Sequence, residues 1–255
     1  MRDILSRGGR ATLSALTAGR LLVVLDYDGT LAPMASRPDR ARMRGSTRQL
    51  LQRLARVVPC AVISGRARRD LRAALGDVPL VALVGNHGAE HSERVRPRRD
   101  VTLWRESLTR SFEGVRGIWV EDKGLSLSVH YRASPRKTEA YRAVTAAVAR
   151  LRGARVFGGH DVVNIVSRTA PDKGKALCSL IGRHGGLPVL YVGDDETDEA
   201  AFACARVTNG LAIRVGRTRN SLATHFVSTQ RHVDPLLRDL VRLTGPAHVA
   251  GRRAP

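Results

Sequence analysis

Asp26 and Asp28 stand one residue apart in Asp26-Tyr27-Asp28-Gly29-Thr30-Leu31, directly after the apolar run Leu21-Leu22-Val23-Val24-Leu25. Alternate side chains of an extended chain leave on one side, so both carboxylates can face the same crevice. Two anions gathered there are costly without a cation or a shared proton. A Mg²⁺ ion with oxygen ligands would resolve the conflict. The competing reading is an Asx turn that merely closes a strand.

A second acidic segment, Gly193-Asp194-Asp195-Glu196-Thr197-Asp198-Glu199, follows another apolar run. A helix N-terminus favours carboxylates and accounts for Glu196 and Glu199. It accounts less well for the pair Asp194-Asp195. In Asp172-Lys173-Gly174-Lys175, two of the chain's four lysines open an expected helix. A lysine there could hold a phosphate and neutralise an aspartate nucleophile. Ser64-Gly65-Arg66 also follows a strand, and its hydroxyl and backbone N–H groups could bind phosphate oxygens at a helix N-terminus.

The elements that position these groups alternate. Short apolar runs at Leu21–Leu25, Pro59–Ile63, Leu80–Val84 and Leu187–Val192 read as buried parallel strands. Helical patterns lie at 46–57, 67–75 and 173–184. The expected fold is α/β, a doubly wound parallel sheet whose ligand lies at the C-terminal strand ends, where all the polar motifs fall. The middle departs from this pattern. Residues 117–131 read as two strands around Lys123-Gly124, followed by a helix at roughly 135–151 and two strands joined by Gly158-Gly159. This predicts an inserted α+β domain over 94–167, entered through the basic stretch Arg94–Arg99, with the core formed by 1–93 and 168–255.

The chain has 255 residues and a formal charge of +20. Such a charge suits nucleic-acid binding. The arginines are dispersed, however, and aromatic residues do not interleave with them, so no stacking platform is expected. Only Lys123, Lys137, Lys173 and Lys175 are lysines, so a lysine here is a candidate for a role that arginine cannot fill. No apolar run is long enough to span a membrane. The first twenty residues lack the apolar stretch of a secretory signal and suit a short amphipathic helix. Cys60, Cys178 and Cys204 form no CxxC pair. No disulfide framework or zinc site is expected, and a reducing cytoplasm is the natural setting.

A DxDGT turn, a serine after the second strand, a lysine and a GDxxxD loop, in that order, resemble the haloacid dehalogenase superfamily of phosphatases. Three further segments are similar to the trehalose-6-phosphate phosphatases: Gly85-Asn86-His87-Gly88-Ala89-Glu90, Glu121 to Arg132, and Gly193 to Glu199. The resemblance implies that Asp26 is a nucleophile forming an aspartyl-phosphate and that Asp28 is the general acid and base. It implies that Ser64, Gly65 and Lys173 hold the phosphoryl group. Asp26, the Asp28 carbonyl and Asp194 would bind Mg²⁺, with Asp198 behind them. The insert would be a cap closing over the sugar, and Arg66, His87, Lys123 and Asn164 would face the substrate.

The chain departs from the family at one place. Asn164, Val166 and Ser167 stand where the family carries a glutamate, an arginine and a proline. Asn164 can donate and accept hydrogen bonds but carries no charge. Another sugar phosphate, such as sucrose 6-phosphate or glucosylglycerol phosphate, is therefore the alternative substrate. A non-catalytic basic module binding sugar phosphate or nucleic acid is the alternative of another class.

Overall fold

A computed structural model of the chain describes residues 1–35, 40–91, 98–159 and 161–245. The chain divides into two compact units, Met1–His91 with Pro171–Pro255, and Ser92–Ala170. In chain order the first unit begins with β1 (Arg2–Asp3), α1 (Arg7–Leu16), β2 (Leu22–Leu25), α2 (Gly45–Ala55), β3 (Cys60–Ile63), α3 (Arg68–Leu75) and β4 (Ala82–Val84). The second unit contains α4 (Arg99–Phe112), β5 (Trp119–Asp122), β6 (Ser126–His130), α5 (Lys137–Val148), β7 (Ala154–Gly159) and β8 (Val162–Ser167). The chain then returns through α6 (Lys173–Arg183), β9 (Val189–Gly193), α7 (Glu199–Val207), β10 (Leu211–Val215), β11 (His225–Val227) and α8 (Val233–Thr244).

The first unit is built on a seven-stranded sheet in the order β1-β11-β10-β9-β2-β3-β4, with every pair parallel. Both faces are covered, which is why its strands read as continuous apolar runs. Val23, Leu25, Val62 and Val192 pack with leucines of α1, α2, α3 and α8. Val24, Ala61, Ile63 and Tyr191 pack with α6 and α7 on the other face. Each valine, leucine or isoleucine among them, taken fully out of water, contributes about 1.5–3 kcal/mol. The chain winds outward from β2 in one direction through β3 and β4, and in the other through β9, β10 and β11. The winding direction therefore reverses between β2 and β9, and a crevice opens at such a reversal beyond the strand ends.

The second unit is an antiparallel sheet in the order β5-β6-β8-β7. Leu127, Val129, Val163 and Ile165 face α4 and α5 and close its core. The β5–β6 hairpin turns at Gly124, which takes φ +81°. Gly158 and Gly159 do not form the second turn. They belong to β7 and pair with Val163 and Val162. Of the expected entry stretch Arg94–Arg99, residues 94–97 lie outside the described residues. So does the tail Gly251-Arg252-Arg253.

The cysteine expectation is corrected. Cys178 on α6 and Cys204 on α7 form a disulfide, with their Cα atoms 6.1 Å apart. No local spacing announces it, because the two residues are 26 positions apart and meet only through helix packing. Gly174 lets the helices approach: a Cβ there would collide with the Ala200 backbone and side chain. The argument for a reducing compartment from unpaired cysteines falls with this bond. Cys60 is buried and free, and burial pushes its thiol up to about 12. Among the described residues, no helix is long and apolar enough to cross a membrane.

Candidate active site

Asp26 leaves the end of β2 at the reversal point, with its backbone N–H still donating to Val192 O at 2.9 Å. The residue is 3% exposed. One carboxylate oxygen accepts from the Tyr27 N–H at 2.7 Å. The other accepts from Lys173 Nζ at 2.8 Å. Lys173 is the first residue of α6, and the helix is capped by Asp172, whose side chain accepts from the Lys175 N–H. The same Nζ donates to Asp198 at 2.8 Å, so a buried ammonium bridges two carboxylates. Lys173 is held well above its ordinary range: burial opposes the charge, but Asp198 and Asp26 outweigh it.

Asp198 accepts four hydrogen bonds, from Lys173 Nζ, the Tyr191 hydroxyl at 2.7 Å, and the Asp194 and Asp195 N–H groups at 3.0 Å each. It thereby folds the loop after β9 and presents Asp194 toward Asp26. Asp194 accepts from Thr30 Oγ1 at 3.2 Å. Gly29, at φ +75°, lies against the Asp194 carboxylate, and any side chain there would collide with it. Asp28 points elsewhere. Arg66 Nε donates to one of its oxygens at 2.7 Å and Nη2 to the other at 2.6 Å. The Arg66 guanidinium also lies 4.7 Å from the centre of the Tyr27 ring.

Ser64 directly follows β3 and is 1% exposed. Gly65 follows, and the His87 ring occupies the space where a Gly65 side chain would be. Asn86 and His87 take φ +50° and +56°, and Glu90 holds this turn by accepting from Asn86 Nδ2 at 2.6 Å and the Arg68 N–H at 2.7 Å. The first unit thus carries Asp26, Asp28, Ser64, Gly65, Arg66, His87, Asp194 and Asp198 just beyond the C-terminal ends of β2, β3, β4 and β9, with Lys173 at the start of α6. A buried carboxylate held by a lysine, beside a second acid, is suited to nucleophilic attack on phosphorus.

Residues 24–230 match the trehalose-phosphatase family. A trehalose 6-phosphate phosphatase of Zea mays is 30% identical over 91% of this chain and 73% of its own length. This chain belongs to the trehalose-phosphatase family. The trehalose-phosphate phosphatase of Mycobacterium leprae is 32% identical over 89% of this chain, which spans 59% of that protein. The C-terminal domain of the C. albicans trehalose-6-phosphate phosphatase shares the fold, with a TM-score of 0.77 at 21% identity over 92% of this chain and 96% of that domain. The shared fold is that of phosphatases of the haloacid dehalogenase superfamily.

Phosphatases of this superfamily generally use a metal, and the donor set in this trehalose-phosphatase family member fits one. One oxygen from each of Asp26, Asp194 and Asp198 lies within 4.8 Å of the others. Three carboxylates face one ammonium, an excess of two negative charges. The strain shows in the acids. Burial pushes Asp26 well above the usual carboxylate range, with Asp198 and Asp194 adding to it and Lys173 opposing. Burial, then Asp198, pushes Asp194 up to about 7. Asp198 already has four donors, so Asp26 and Asp194 are the carboxylates left to face a cation.

Lys123 and Asn164 belong to the second unit. Lys123 Nζ lies 3.8 Å from Glu121, which also bonds His130 Nε2 at 2.8 Å. His130 stacks on the half-exposed Trp119 ring with centroids 3.9 Å apart. Asn164 Oδ1 accepts from Ser128 Oγ at 2.7 Å. Glu121 pairs across the sheet with Ser128, and Ser128 with Asn164, so these polar groups share the face turned away from α4 and α5. Sequence reasoning singled out neither Glu121 nor Tyr191 as functional. Tyr191 carried a signal, since a phenol in a buried strand requires a partner.

Proposed function

We propose that the chain hydrolyses trehalose 6-phosphate to trehalose and inorganic phosphate, with Asp26 as the nucleophile. The observation that carries this reading is the Asp26 carboxylate, buried at the reversal point of the sheet and bonded to Lys173 at 2.8 Å. An Asp26 oxygen attacks phosphorus, and the bond to the sugar's 6-oxygen breaks. Asp28 gives that oxygen its proton. Asp28 then takes a proton from water as the water oxygen attacks the aspartyl-phosphate, releasing inorganic phosphate and restoring Asp26. Lys173, Ser64 and the Gly65 N–H hold the phosphoryl oxygens, and Lys173 stays charged throughout. Arg66 must yield at least one of its two bonds for Asp28 to carry a proton.

Asp26, Asp194 and the Asp28 carbonyl would hold Mg²⁺, an oxygen-seeking divalent ion that matches the two-charge excess. When bound, it draws negative charge from the phosphoryl oxygens. The second unit serves as the cap. Its polar sheet face, with Glu121, Lys123, Ser128 and Asn164, presents donors and acceptors suited to sugar hydroxyls.

Asn164 favours a second reading, in which the chemistry is the same and the sugar differs. Phosphate release from a panel of sugar phosphates with Mg²⁺ separates the two. Turnover of another sugar phosphate with none of trehalose 6-phosphate would sink the first. Retained activity in Asp26→Asn would sink the mechanism for both.

A further inference from the structure

Within the second unit lies a hollow of about 600 Å³ lined by Arg98, Arg150, Arg152 and Arg168. We propose that it is a binding site for a small oligophosphate, a compound carrying a chain of two or three phosphates. Three separate chain segments bring the arginines together: Arg98 precedes α4, Arg150 and Arg152 follow α5, and Arg168 follows β8. The cluster is therefore made by the fold, not by a run of basic sequence.

The charges around the hollow do not balance. Arg98 is held in place by Asp100, with Nε 3.1 Å from Oδ1 and Nη2 3.1 Å from Oδ2, and donates to Thr169 Oγ1 at 3.3 Å. Asp100 is the lining's one carboxylate, and Arg98 already engages it. Among the described residues, Arg150, Arg152 and Arg168 have no side-chain hydrogen bond or ion pair. The C-terminus of α5 offers only about half a negative charge. Two of its last carbonyls, Ala147 O and Val148 O, are already taken by the Arg150 and Leu151 N–H groups. Three exposed arginines thus line the hollow with no anionic partner among the described residues.

A concave site of this volume is ordinary for a small-molecule ligand. Guanidiniums pair with phosphate oxygens through two parallel N–H groups, which favours phosphate over a single point anion. Three free guanidiniums match the charge of a di- or triphosphate chain better than that of a monoester. The arginines also lie near both ends of the described part of the second unit, with Arg98 just before α4 and Arg168 just after β8. A ligand bridging them would tie its first and last turns together. None of these residues is among those proposed to act on the sugar phosphate, so the site is independent of that reading.

The test is a calorimetric titration of sodium tripolyphosphate into chelator-treated protein at about 0.15 M salt, where weak surface attraction is screened. Without metal, the excess acids around Asp26 repel the probe and turnover is prevented. Two triple variants are compared: Arg150→Glu/Arg152→Glu/Arg168→Glu, and a control with the same charge change at the exposed Arg7, Arg56 and Arg206. One site per chain is expected, weakened by about tenfold or more in the first triple and by under about threefold in the control. Metal-loaded phosphatase activity should be intact in both. If the first triple does not fold, Arg168→Gln alone should weaken binding about threefold. No binding to the unaltered chain, equal losses in both triples, or unchanged affinity in the pocket variants would overturn the site.

Discussion

Arg66 grips both carboxylate oxygens of Asp28, at 2.7 and 2.6 Å. The side chain proposed to handle the proton is thus parked by an arginine whose side chain is 10% exposed and lies over the Tyr27 ring. A fork with two parallel N–H groups fixes the direction of a carboxylate as well as its charge. Arg66→Ala should lower kcat about tenfold to a hundredfold by releasing Asp28 from its position, while Asp28→Asn should lower it by about 10²–10⁴. Arg66→Lys should recover little, since one ammonium cannot hold both oxygens. Steady-state kinetics with trehalose 6-phosphate decide this. An Arg66→Ala enzyme with unchanged kcat would show that the pairing is incidental.

Tyr191 should matter although it cannot reach a substrate. Its hydroxyl is one of four donors on Asp198, and burial, reinforced by Asp198, holds the phenol well above its ordinary range, so it stays a donor. Tyr191→Phe removes a hydrogen bond to a charged group, at about 1.5–3 kcal/mol. Because Asp198 positions Asp194, metal affinity should fall about 10-fold or more as well. Thermal unfolding with and without Mg²⁺ reads both effects. A variant with lowered Tm but full metal affinity would mean that Asp198 does not shape the metal site.

The metal-free protein should be less stable at neutral than at mildly acidic pH. Asp194 stands near 7 in the folded chain against an ordinary value of 3.8. A carboxyl raised by folding binds protons more tightly when folded. Its contribution is therefore complete below about pH 4 and lost as pH rises through about 7. Urea unfolding of chelator-treated protein should give a lower midpoint at about pH 7.5 than at about pH 5. Saturating Mg²⁺ should remove most of the difference, because the cation takes the place of the proton. A midpoint that rises with pH in the absence of metal contradicts this account.

The Cys178–Cys204 bond joins the two helices that start beside Lys173 and Asp198. Closing a loop of 26 residues stabilises a fold by roughly 3–4 kcal/mol in the chain-entropy picture. Reduction, or Cys178→Ser, should lower Tm by several degrees and loosen metal binding. Thiol counting on the denatured, unreduced chain should find only Cys60. Three free thiols would mean that the bond does not form in solution.

The legible parts of the fold were those whose signal is local. Val23, Val24 and Leu25 form an apolar run because both faces of β2 are covered. Asp26 and Asp28 stand out because acids seldom follow such a run twice in one chain. The helix Arg99–Phe112 was not singled out, because its leucines and aromatics lie amid arginines that hide its buried stripe of Val101, Trp104, Leu108 and Phe112. The edge strand Arg2–Asp3 has only two residues and takes its structure from β11. The Cys178–Cys204 bond and the Arg66–Asp28 pairing were invisible for a shared reason. Each joins residues from different elements, and nothing in the local spacing of either partner encodes the meeting.

Asn164 is where sugar recognition should be most tunable. It stands on β8 with its carbonyl oxygen bonded to Ser128, on the same sheet face as Glu121 and Lys123. Its amide N–H groups remain the part that can serve a sugar hydroxyl. Asn164→Ala removes these donors and leaves the buried Ser128 hydroxyl without its partner, a loss of about 1–3 kcal/mol. If the face binds the sugar, kcat/KM for trehalose 6-phosphate should fall about tenfold. Hydrolysis of p-nitrophenyl phosphate, which offers no sugar hydroxyls, should change little. Asn164→Glu adds a charged acceptor and should shift preference among sugar phosphates without altering that activity. Equal losses on both substrates would place the effect of Asn164 in folding of the second unit, not in recognition.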